Sequence, residues 1–149
     1  MPGRRILIVD YDARSVDALA ALFKPCGLEI LTASDGLSAY EMFQLEKPDL
    51  VLMEAILPRL HGFDLAKRIV ADSRGTVPVV IVTGLYRGPH YRHEALTAFG
   101  VADYFEKPYD AEKLVRSVMD LLREKGETGF DLPAPEAVID FLSARLKKG

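Results

Sequence analysis

Short apolar runs rich in β-branched residues alternate along this chain with longer amphipathic stretches. Ile6-Leu7-Ile8-Val9, flanked by Arg5 and Asp10, reads as a strand buried on both faces. Asp12 can cap a helix that follows to about residue 24. Val16, Leu19, Ala20, Leu22 and Phe23 lie on its apolar side, and Gly27 fits its stop. Residues 28–33 predict a second strand. Ser34-Asp35-Gly36 opens a helix carrying Ala39, Tyr40, Met42 and Phe43, which ends before Pro48. Residues 50–53 are a third strand, 58–62 a loop and 63–71 a third helix. Residues 77–82 form a fourth strand, with Pro78 near its start where proline is tolerated. A loop rich in Gly, Tyr and His then leads into a helix that Gly100 ends. Residues 101–105 and 110–123 complete the pattern as a strand and a helix.

Strand and helix thus alternate five times. Such alternation predicts an α/β fold: a five-stranded parallel sheet, doubly wound, with right-handed crossovers and helices on both faces. Residues 4–125 make one domain. Residues 126–135, which include Leu132-Pro133-Ala134-Pro135, read as a stiff linker. Residues 136–149 read as a short amphipathic helix opened by Pro135, with Val138, Phe141, Leu142 and Leu146 at helical spacing.

Composition narrows the function. The 149 residues suffice for one sizeable core. A net charge of −3 without a dense basic stripe argues against direct nucleic-acid binding. The single cysteine, Cys26, excludes an intramolecular disulfide and reads as a small buried residue. No apolar run is long enough to span a bilayer, so the expected location is the cytoplasm, away from membranes.

In an open parallel sheet, ligands bind beyond the carboxyl ends of the strands, where strand order reverses. Asp10 follows the first strand, Glu54 the third, Thr83 closes the fourth, and Lys107 follows the fifth. Two carboxylates, a hydroxyl and an ammonium therefore converge on one edge. An acyl phosphate needs such a set: a carboxylate nucleophile, a divalent cation, and a hydroxyl and a cation for the phosphoryl oxygens.

Ile6-Leu7-Ile8-Val9-Asp10, Pro48-Asp49-Leu50-Val51-Leu52-Met53, the 58–62 loop, Val80-Ile81-Val82-Thr83-Gly84 and Tyr104-Phe105-Glu106-Lys107-Pro108 resemble, in order, the motifs of response-regulator receiver domains of two-component signalling. The resemblance covers residues 4–125 and implies the flavodoxin-like (βα)5 receiver fold. It implies that Asp10 is one member of a metal-binding acidic pair and Thr83 the switch hydroxyl. It likewise makes Lys107 the phosphate-binding lysine before a cis Pro108, and Tyr104 the aromatic that changes rotamer on activation. Two positions depart from the family. Tyr11 stands where the second acid belongs, and Glu54 where the phosphoryl-accepting aspartate belongs. Tyr11 removes an anionic oxygen and brings a bulky ring to the metal position, leaving Asp10 as the one candidate ligand for a weakly held Mg²⁺. Glu54 places its carboxylate one methylene further out, and in-line transfer depends on placement.

The expectation is a pseudo-receiver: a non-enzymatic module that needs no cofactor and acts by phosphorylation-independent protein–protein interaction, with Glu54 reaching Lys107. A working receiver with weakened Mg²⁺-dependent phosphorylation is the alternative within signalling. A flavodoxin-like nucleotide-binding enzyme is the alternative of another class, and Asp10-Tyr11-Asp12-Ala13-Arg14 lacks the glycine-rich phosphate loop that would favour it. Tyr86, Arg87, Tyr91 and Arg92 form an aromatic and basic cluster that, with Tyr104, is the candidate partner face. A packed loop is the other reading of that cluster. His61, His90 and His93 lack an accompanying cysteine or acidic cluster and read as exposed loop histidines.

Overall fold

The structure, a computed structural model, describes residues 3–125. The linker and final helix expected over 126–149 lie outside the described residues. Five strands, β1 (Arg5–Val9), β2 (Glu29–Ala33), β3 (Leu50–Met53), β4 (Val79–Thr83) and β5 (Asp103–Glu106), alternate with five helices. These are α1 (Ala13–Phe23), α2 (Gly36–Glu46), α3 (Gly62–Ser73), α4 (Pro89–Ala98) and α5 (Ala111–Lys125). All pairings are parallel, in the order β2-β1-β3-β4-β5. This is the expected doubly wound five-stranded sheet.

The central strands β1, β3 and β4 read as continuous apolar runs because their side chains find a helix on one face or the other, whereas the edge strands β2 and β5 keep exposed or half-buried polar positions. Ile6, Ile8, Leu50, Leu52, Val80 and Val82 face α1 and α5, meeting Leu19, Phe23, Leu114 and Val118. Leu7, Val9, Val51, Met53 and Ile81 face the opposite way, onto Ala39, Phe43, Leu65, Ile69 and Ala95. The period-two alternation of a strand thus divides one apolar run between two cores.

Element ends shift from the expectation for local reasons. Helix α1 stops at Phe23, and a 3-10 turn over Lys24–Cys26 carries Pro25 before Gly27 takes φ 80°. Cys26 is buried in that turn, and burial pushes its thiol pKa up to about 11. Strand β4 begins at Val79 and not at 77; Pro78 has no N–H to donate, and its carbonyl accepts from Val51 instead. Strand β5 begins at Asp103 and not at 101, since the Val101 N–H closes back onto the Ala95 carbonyl of α4. Helix α3 starts one residue before and runs two residues beyond its expected bounds, ending where Arg74 and Gly75 take φ 53° and 74°.

The chain leaves β1 for β2 on one side and then reaches β3 on the other. The crevice between the carboxyl ends of β1 and β3 is therefore the topological switch point.

Candidate functional site

Asp10 follows β1 and Glu54 follows β3, so the two carboxylates flank that switch point. Their backbones are tied together: Glu54 N–H donates to the Val9 carbonyl at 2.9 Å, and Asp10 N–H to Ala33 at 3.2 Å. Both side chains are buried, Asp10 at 1% exposure and Glu54 at 4%. A buried carboxylate is tolerated only where its oxygens are paired or hydrogen-bonded, and these are. Asp10 Oδ1 accepts the Asp12 N–H at 2.9 Å, and Asp10 Oδ2 accepts Lys107 Nζ at 2.7 Å. Glu54 Oε1 accepts the N–H groups of Ala55 at 2.9 Å and Ile56 at 3.3 Å. Glu54 Oε2 accepts Gly84 N–H at 3.3 Å and lies 3.1 Å from Lys107 Nζ.

Lys107 therefore bridges the two acids from the end of β5. Its backbone N–H donates to the Thr83 carbonyl at 2.8 Å, which aims the side chain back across the strand ends. The Lys107–Pro108 peptide is cis, as the resemblance implied. Burial draws the ammonium pKa down, but the hydrogen bonds and charges of Asp10 and Glu54 outweigh it, and the net direction is up. Lys107 is a charged, charge-assisted donor to both acids at neutral pH.

Thr83 is fully buried, and its Oγ1 accepts the N–H groups of Leu85 at 3.3 Å and Tyr86 at 3.4 Å. Tyr104 is 2% exposed, and its hydroxyl donates to the Tyr86 carbonyl at 2.5 Å. Burial first, then the nearby Glu106 and Glu54 charges, push the Tyr104 phenol pKa up, so it stays a neutral donor. Its ring sits in the core facing α3 and α4.

The remaining predicted residues divide. Tyr11 is 55% exposed and lines an outer cleft of ≈ 430 Å³ with Asp10, Thr32 and Ser38. Its ring stands beside Asp10 on the wall of that cleft, and the next residue, Asp12, caps α1 by accepting Arg14 N–H. Tyr86 stacks on Tyr91 with centroids 4.8 Å apart, so part of the expected docking cluster is packed locally. Arg92 donates to the Tyr104 carbonyl at 2.6 Å and lies 3.4 Å from Asp103, clamping the outer edge of β5. Arg87 is exposed, with its Nε 3.8 Å from Glu106. His90 and His93 are exposed on α4, but His61 is not a bare loop residue. It caps α3 by accepting Phe63 N–H on Nδ1 at 3.1 Å, and it meets the Tyr86 hydroxyl at 3.3 Å.

Sequence reasoning missed the amides of Ala55, Ile56 and Gly84 around Glu54, since backbone donors carry no side-chain signature. It also passed over Glu106. Among the described residues, no group of three or more His, Cys, Asp or Glu side chains could hold a metal ion, and no helix is long and apolar enough to cross a membrane.

The family model of the response regulator receiver domain matches residues 6–119. Sensory transduction protein RegX3 of Mycolicibacterium smegmatis is 33% identical over 135 residues, covering 91% of this chain and 57% of that protein. Phosphate regulon transcriptional regulatory protein PhoB of Pseudomonas aeruginosa is 30% identical over 134 residues, covering 89% and 58%. The chain thus spans a little over half the length of these curated relatives. Among solved structures, a CheY-like response regulator receiver domain protein from Methanospirillum hungatei superposes with a TM-score of 0.76 at 25% identity, covering 85% of this chain and 99% of that one. The Francisella response regulator 1452 receiver domain matches in fold with a TM-score of 0.76 at 24% identity, covering 83% and 100%.

Proposed function

This chain belongs to the response regulator receiver domain family, a signalling module of two-component systems, and we propose that it works by phosphorylation-independent protein–protein interaction. One observation carries the reading: Lys107 holds Asp10 at 2.7 Å and Glu54 at 3.1 Å at once, while backbone amides occupy the rest of the Glu54 carboxylate. A nucleophile in that setting is already neutralised and fully hydrogen-bonded. Attack on a phosphoryl donor would cost it these bonds before any gain.

Mg²⁺, which the family uses, fits this donor set poorly. Asp10 and Glu54 each spend an oxygen on an ammonium. Tyr11 adds a neutral phenol and no acid, and Mg²⁺ demands near-octahedral oxygen coordination with little tolerance. The Glu54–Lys107 pair instead supplies internally the charge contact that a phosphoryl group would make, and so holds the switch residues in one state. The partner is a protein and not a nucleic acid, as the net charge of −3 favours, and the cytoplasm is its expected compartment. The face that meets it includes the exposed Arg87 and Leu85 beside Tyr86, Tyr91 and the Tyr104 anchor.

The test is incubation of the full chain with acetyl phosphate and Mg²⁺, read by intact mass, alongside NMR with beryllium fluoride. The expected result is an unmodified protein and unshifted amides at Thr83, Tyr104 and Lys107. Labelling on Glu54, with shifts spreading to Tyr104, would put the weakened phosphoacceptor first.

A further inference from the structure

Residues 84–88 join β4 to α4 without regular secondary structure, so their backbone donors and acceptors must find partners elsewhere. At the start of the loop the site supplies them. Gly84 N–H goes to Glu54, Leu85 and Tyr86 N–H to Thr83, and the Tyr86 carbonyl receives the Tyr104 hydroxyl. The far end is held differently. Gly88 takes φ 110°, ψ 160°, a conformation that residues with a side chain rarely adopt, and it precedes Pro89 at the start of α4. No side chain caps that helix. The Gly88 N–H points instead at strand β5, where Glu106 Oε2 accepts it at 2.6 Å. A charged acceptor at that distance makes a strong bond. The Arg87–Glu106 ion pair, at 3.8 Å between half-exposed side chains, adds little.

We propose that Glu106 is the positioning residue that fixes the far end of the 84–88 loop, and with it the surface this chain presents to a protein partner. Glu106 directly precedes Lys107, so one short piece of β5 holds both the acidic site and the exit of the loop. Leu85, 63% exposed, and the exposed Arg87 ride on a segment pinned at both ends. Without Glu106 the Gly88 N–H loses its acceptor, and the backbone that carries Arg87 loses its anchor at that end. The meaning of the loop as a partner surface rests on the interaction reading above; its geometry does not.

Amide hydrogen exchange on the full chain tests this with Glu106→Ala and Glu106→Gln. In Glu106→Ala, exchange at Gly88 is expected to rise about tenfold, with the amides of Val80 and Val82 in β4 unchanged. Glu106→Gln keeps an acceptor oxygen and restores most of the protection. Unchanged Gly88 exchange in Glu106→Ala would overturn the latch, as would equal acceleration in both variants extending into β4, which is general loosening. Phosphodonor labelling of the wild-type chain would overturn the interaction reading and leave the latch standing.

Discussion

Lys107 carries one positive charge between two buried carboxylates, so its loss does more than remove a contact. Lys107→Met would leave Asp10 and Glu54 facing each other with only amides for compensation. Breaking one side of a buried ion pair costs several kcal/mol because the remaining charge has no counterion. A quarter of the lysine side chain reaches solvent, which softens the penalty, so a loss of about 3 kcal/mol is expected in urea denaturation at pH 7. A loss below about 1 kcal/mol would show that the pair behaves as a surface bridge. The same lysine sets a pH dependence. Its folded pKa lies above the ordinary 10.5, so the folded state binds its proton more tightly than the unfolded chain. The stabilisation is complete below that ordinary value and is lost as pH rises through the folded one. The stability difference between wild type and Lys107→Met should stay flat from pH 7 to about 10 and shrink above it. At this scale the sequence showed Asp10, Glu54, Thr83 and Lys107 as strand-end residues. It did not show that Tyr11 is 55% exposed, because exposure is set by packing that the local pattern does not contain.

Helix α2 and the loop after Glu54 are held together more closely than either hydrophobic pattern suggests. Asp35 caps α2 through Ser38 N–H at 2.8 Å and faces Arg59 across 3.4 Å. Gly36 N–H donates to the Pro58 carbonyl at 3.0 Å. A Cβ at Gly36 would lie 2.0 Å from the Leu60 carbonyl oxygen, which no side-chain adjustment can relieve. Gly36→Ala should therefore cost about 2 kcal/mol of stability, read as a lower urea midpoint at an unchanged m-value. It should also shift the NMR signals of residues 58–62, because the loop must move. A midpoint within error of wild type would mean that the loop slides freely over α2. Periodicity located α2 but could not show this packing, since close approach of two backbones leaves only a glycine in the sequence. The same holds for the ends of β4 and β5: apolar residues at Val77 and Val101 match the strand pattern, yet Pro78 and the α4 closure decide where pairing starts.

At the scale of the whole molecule, alternation alone was enough to predict a doubly wound parallel sheet, because a strand buried on both faces can be satisfied in few ways. Strand order was not readable from the pattern, yet it is what brings β1 and β3 side by side and makes Asp10 and Glu54 neighbours. Phosphoryl transfer at such a site would be a property of four strand ends together, and repair of one end should not restore it. Glu54→Asp withdraws the carboxylate by one methylene, toward the family's reach. It still leaves Lys107 free to pair with Asp10 and leaves a phenol at position 11. Tyr11→Asp alone adds an acid at an exposed position, where Glu54 remains bound to its amides and to Lys107. Only the double variant supplies both a shortened nucleophile and a second acid for Mg²⁺, the charge that offsets the phosphoryl oxygens. Acetyl phosphate labelling should therefore be near background in each single variant and at least about tenfold higher in the double, a coupling of about 1.4 kcal/mol in the transition state. Strong labelling of Glu54→Asp alone would place the whole defect in the length of one side chain and show that Tyr11 does not obstruct the metal. Background labelling of the double variant would mean that the Lys107 bridge, and not the missing acid or the longer side chain at position 54, keeps the site closed.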